Sequence, residues 1–243
     1  MKISKAYSFL SGFLILFFVY HFPEFFESFW VTAVFKIGFL LIAFFLARIQ
    51  GWKGLGGYGL ALSNKWHASL FCGLIIGVVF YFFSILLSVK FGFEKILSIE
   101  SFPAILQALP IILFMTVFPS VAEDILTRGY LYAHIKNVPP GMWAFISTSV
   151  YVLNHIWRLG DGIAVLSYLF LLGLVLAYAV LLNKSLWFAF GIHWGANVAF
   201  ELSNACLKLE EKDNGTNATW MLALIWALLF LILLLMHSRK QTK

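Results

Sequence analysis

Of the 243 residues, 62% are hydrophobic and 12% charged, and the mean hydropathy is +0.91. A soluble domain carries roughly 25% charged residues, so a water-exposed globule is excluded, and the length allows one bundle of about eight spans without a second sizeable domain. The net charge of +6 sits at the ends of apolar runs and not in a dense patch, which argues for a lipid bilayer as partner and against nucleic acid.

Apolar runs fall at 6–22, 29–47, 68–89, 105–135, 141–157, 162–182, 185–204 and 218–236. One crossing takes roughly 17–25 such residues. The runs are continuous and do not alternate, so they read as helices and not strands. The expected fold is all-α: a polytopic membrane helix bundle of about eight transmembrane helices, forming a single domain over 1–243.

The first run follows Lys2 and Lys5 as a signal peptide would. It lacks a small-x-small cleavage site and continues into Phe22-Pro23-Glu24-Phe25-Phe26, so a retained helix is expected. The second run contains Lys36, which the pattern does not explain. The glycines of 51–65 are too irregularly spaced for a phosphate loop and mark a turn. Cys72 and Cys206 fall near opposite membrane faces and read as ordinary thiols.

An even number of spans puts both ends of the chain on one side. That side would hold Lys2, Lys5, Arg48, Lys53, Lys65, Lys136, Lys184, Arg239, Lys240 and Lys243. The other would hold Lys90, Lys95, Arg158, Lys208 and Lys212, diluted by six acids. The richer side should be cytoplasmic. The expectation is a multi-pass protein of the cell membrane, in a bacterial inner membrane, with both termini in the cytoplasm.

Ionisable groups inside a membrane are costly, by at least about 2.5–3.5 kcal/mol each. The fourth run holds Glu123, Asp124 and Arg128. On a helix Asp124 and Arg128 form an i,i+4 pair, so one acid is neutralised while Glu123 points elsewhere. The fifth ends in Tyr151-Val152-Leu153-Asn154-His155, and the seventh carries His193-Trp194-Gly195-Ala196-Asn197. Counting about 1.5 Å per residue puts Glu123 and His155 roughly 20 Å from the inner face, Asn197 about 18 Å and His193 about 12 Å. These groups can meet in one pocket. The residues alone leave catalysis and transport both open, and Glu201, late in the seventh run, is unexplained by catalysis.

Acid-acid-x-x-x-Arg, then aromatic-x-x-x-His, then His-x-x-x-Asn, in that order, resembles the CAAX prenyl endopeptidase and bacteriocin-processing (CPBP) family of intramembrane proteases. The likeness covers about 65–205. Two positions depart from it: Asp124 stands where the family usually has a second glutamate, and Tyr151 where it usually has phenylalanine. The resemblance implies a metal-free endopeptidase with no cofactor. Glu123 would activate water with help from His155, Asn197 and His193 would hold the oxyanion, and Asp124 and Arg128 would brace the site. The substrate would be a membrane-associated peptide or protein, as in leader-peptide or bacteriocin processing. The mechanistic rival is a zinc site with Glu123, His155 and His193 as ligands and a fourth position open. The functional rivals are a non-catalytic bacteriocin-immunity or scaffold protein, and a transporter, for which the expected inverted repeats or paired broken helices are missing.

Overall fold

The computed structural model describes residues 5–62 and 65–241; Lys2 and Lys243, counted above for orientation, lie outside them. Each apolar run is helical over most of its length. In chain order the helices are α1 (Lys5–His21), α2 (Phe29–Ile49), α3 (Trp66–Lys90), α4 (Phe102–Asp124), α5 (Tyr130–His134), α6 (Pro140–Asn154), α7 (Ile163–Asn183), α8 (Trp187–Cys206) and α9 (Thr216–Gln241). A π-helical turn, Ile125–Gly129, joins α4 to α5, so these three segments make one rod.

Six of these rods are long and apolar enough to cross a membrane. The fold is therefore the expected all-α membrane bundle. Eight crossings were expected; of the eight rods among the described residues two fall short of that standard, so six are supported as spans. One is α6, whose 15 residues rise only about 22 Å. The other is α8, which is 20 residues long but carries His193, Asn197, Glu201 and Asn204 among its apolar residues. Neither needs to face lipid along its whole length, because α8 packs against α3, α4 and α7, and α6 against α7 and the π turn.

Small residues let α8 approach α3 closely. Gly73 on α3 meets Gly191 on α8, a Cβ at Gly77 would run into the Ile192 carbonyl, and one at Gly195 into that of Leu74. In lipid, where apolar side chains gain little by leaving the solvent, such backbone proximity is what joins helices. The contact fixes the rotation of α8 and so the direction of His193 and Asn197.

The connections after α3 and α8 hold an element that the apolar runs do not announce. Residues Glu94–Ile99 (β1) and Leu207–Glu211 (β2) pair as an antiparallel two-stranded sheet, with Glu94 opposite Glu211 and Ile99 opposite Leu207. By the helix order it lies at the membrane face opposite the chain ends. Cys72 and Cys206 are both free thiols, near opposite ends of this α3–α8 pair.

Candidate active site

The π turn follows directly on the two acids. The Tyr130 amide donates to the Ile125 carbonyl, five residues back, where an α-helix would use the residue four back. Such widened turns recur at functional sites, because they re-aim the side chains around them. Here the Thr127 carbonyl accepts from Ser147 Oγ of α6 at 2.8 Å, which ties the turn to the helix that carries Tyr151 and Asn154.

The two acids are split as their spacing requires. Arg128 Nη1 donates to Asp124 Oδ1 at 2.5 Å and to Thr127 Oγ1 at 2.9 Å, and Asp124 and Arg128 are both completely buried. The guanidinium carbon lies 4.4 Å from the centre of the Tyr151 ring. The shorter aspartate therefore still reaches the arginine. The aromatic ring at 151 acts as a face beneath a cation, which a phenylalanine would equally offer.

Glu123 is turned the other way. Its Oε1 accepts from Asn154 Nδ2 at 2.9 Å and lies 3.6 Å from His155 Nδ1, while its Oε2 lies 3.5 Å from His193 Nε2. His193 Nδ1 is in turn 3.3 Å from Asp124 Oδ1, close enough for charge attraction but off the line of a hydrogen bond. Helices α4, α6 and α8 thus bring Glu123, His155 and His193 together, as the depth count expects. The count set His193 about 8 Å nearer the inner face than Glu123, yet the two side chains meet at 3.5 Å.

His155 is not quite where a continuous helix would put it. The fifth run was expected to stay helical to 157, but α6 ends at Asn154 and His155 caps it with φ −85° and ψ 53°. Its Nδ1 lies 2.8 Å from the Tyr151 carbonyl. A carbonyl only accepts, so Nδ1 carries the hydrogen and Nε2 is the ring nitrogen left with a lone pair. Among the described residues no group of three or more His, Cys, Asp or Glu is arranged to hold a metal ion.

Asn197 stands one step away from this contact set. Its Nδ2 donates to Ser120 Oγ at 2.9 Å, and it shares with Glu123, His155 and His193 a cavity of about 550 Å³. The cavity runs from these residues toward the sheet, where Glu94, Leu209 and Glu211 line it. Its walls mix polar groups, among them Tyr81, Ser84, Ser203 and Asn204, with apolar ones. Outside the membrane segments, burial and the facing Glu211 raise the pKa of Glu94 above the usual carboxylate value.

Asn154 is the site residue that sequence reasoning passed over. It lies beside His155, but an amide at the last turn of a helix ordinarily reads as a cap. Lys36 also gains a context: it is buried, with Nζ donating to the Tyr20 carbonyl at 2.8 Å and lying 3.7 Å from Glu24 Oε1. Glu201 is exposed on α8, and nothing in the structure explains it.

Comparison with known proteins adds one finding. The family model described as type II CAAX prenyl endopeptidase Rce1-like matches residues 105–199, a stretch that runs from early α4 to the middle of α8 and contains Glu123, Asp124, Arg128, His155, His193 and Asn197. No curated protein and no solved structure matches the chain.

Proposed function

We propose, from the match of residues 105–199 to the model of the Rce1-like CAAX endopeptidases, a family of peptide hydrolases, that the chain is an intramembrane, metal-free, glutamate-dependent endopeptidase. The observation that carries this reading is Glu123, held by the Asn154 amide and flanked by two imidazoles within 3.6 Å, at the inner end of a cavity with a polar lining.

In this reading a water molecule in the cavity gives a proton to Glu123 while its oxygen attacks the scissile carbonyl carbon. His155, whose Nδ1 hydrogen is directed to the Tyr151 carbonyl, presents Nε2 as an acceptor that orients the water. The developing oxyanion takes hydrogen bonds from the second N–H of Asn197, the first being used by Ser120, and from His193. Glu123 then passes its proton to the leaving amine nitrogen as the C–N bond breaks. Asp124 and Arg128 keep the turn rigid and neutral beside this chemistry.

The substrate is a membrane-associated peptide or protein segment, as in leader-peptide or bacteriocin processing, and the setting a bacterial inner membrane. The excess of Lys and Arg at the chain-end side, Arg48, Lys53, Lys65, Lys136, Lys184, Arg239 and Lys240 among them, supports a cytoplasmic location for both termini. The cavity then opens on the opposite face.

The test is cleavage of a quenched peptide library by the purified full-length protein. Glu123→Ala is expected to lower kcat by about 10²- to 10⁴-fold, and a chelator to leave wild-type cleavage unchanged. Activity that disappears on chelation and returns with zinc would move the mechanism to the metal reading. Cleavage that survives Glu123→Ala would remove Glu123 as the base. A biological effect such as immunity that persists in Glu123→Ala would point to the scaffold reading.

A further inference from the structure

We propose that the first two helices, which lie outside the matched segment, complete the active site: His21, backed by Glu24 and Lys36, is a positioning residue that fixes which end of the Asn154 amide faces Glu123. This rests on the reading of Glu123 as the base.

The oxygen and nitrogen ends of an amide have the same shape and opposite effect. With Nδ2 toward Glu123, Asn154 donates to the carboxylate and holds it. With Oδ1 toward Glu123, two acceptors would face each other in a buried site. Something must decide, and the partner on the far side of the amide is His21, whose Nε2 lies 3.0 Å from Asn154 Oδ1. To hold an oxygen there, Nε2 must carry a hydrogen.

The other His21 nitrogen carries one too. Nδ1 lies 2.6 Å from Glu24 Oε2. That carboxylate also accepts from Trp157 Nε1 at 3.0 Å and has Lys36 Nζ 3.7 Å from its other oxygen, so it is set up as an anion with acceptors only. A ring with two donating nitrogens is an imidazolium. Its ring lies between Phe17 and Tyr20, with centroids 4.4 Å and 5.0 Å away. The ammonium of Lys36 sits 3.3 Å from the Tyr20 ring centre. His21, Lys36 and Asn154 are each at most 5% exposed.

Glu24 and Glu123 are negative, His21 and Lys36 positive, and Asp124 with Arg128 forms a separate neutral pair. A lysine buried in a membrane helix, otherwise without a reason, balances the second carboxylate of a line that runs Lys36–Glu24–His21–Asn154–Glu123. The line reaches the base from α1 and α2 through α6, and it leaves Glu123 Oε2 on the His193 side. A purely structural cross-link between α1 and α6 would need neither the imidazolium nor a particular amide orientation.

The experiment uses the full chain in detergent with ¹⁵N-labelled histidine. His21→Gln identifies the His21 signals by their loss. The expected wild-type signature at neutral pH is two protonated ring nitrogens, and in the near-isosteric Glu24→Gln one of them becomes bare. With the quenched peptide library, Glu24→Gln and Asn154→Leu are expected to lower kcat by about 10- to 100-fold, as loss of an outer supporting hydrogen bond does, with KM unchanged and melting checked for each variant. A bare nitrogen on wild-type His21, or unchanged kcat in Glu24→Gln and Asn154→Leu while Glu123→Ala is inactive, overturns the proposal. If wild type cleaves no library peptide, the proposed activity is what fails, and the nitrogen signature alone decides the line from His21 to Glu123.

Discussion

Asp124 and Arg128 form an ion pair with no exposure on either side, and such pairs are most costly when half of one is removed. Asp124→Leu leaves a guanidinium buried without its anion, an expected loss of about 3–5 kcal/mol, to be read as a lower melting temperature in detergent even where no activity is assayed. The pair was legible from spacing alone, because i,i+4 neighbours on a helix must meet and a buried arginine must have an anion. The orientation of Glu123 away from it followed from the same spacing. Asn154 and His21 were not legible in this way. They are 133 positions apart, and neither lies at a repeating helical interval from a partner that would betray it. A hydrogen bond between the end of one helix and the end of another leaves no periodic trace.

The α3–α8 pair shows how an element carries the site without touching substrate. Its glycines permit contact between backbones, so a side chain there must move α8 and with it His193 and Asn197. Gly77→Leu is expected to destabilise the protein by about 1–3 kcal/mol through overpacking, measured by thermal melting, and to depress cleavage along with it. The paired spacings Gly73-x-x-x-Gly77 and Gly191-x-x-x-Gly195 are visible in the chain, and the second brackets His193, but two short glycine intervals do not say which helices meet. The sheet was hidden for a different reason. Strands of six and five residues, rich in charge and separated by more than a hundred positions, look like ordinary connecting loops until their partners are known.

At the scale of the whole molecule, the helix order sets the chain ends at one face and the sheet, with the cavity above Glu123, toward the other. With both termini cytoplasmic, as proposed, Lys212→Cys should react with an impermeant maleimide in intact cells, and Lys53→Cys only after the membrane is opened, both in a Cys72→Ala, Cys206→Ala background. The reverse pattern would turn the cavity toward the cytoplasm. The bundle itself was evident from hydropathy. The unequal standing of its rods was not, since α6 and α8 reveal their dependence on neighbours only when packed. These two rods, which are least suited to enter lipid unaided, bear Asn154, His155, His193 and Asn197. A nascent or damaged chain in which the six apolar helices have not yet gathered offers them no shelter, and their polar groups stay dispersed. In the proposed reading, hydrolysis is thereby tied to completed assembly, and a half-built chain leaves the surrounding membrane untouched.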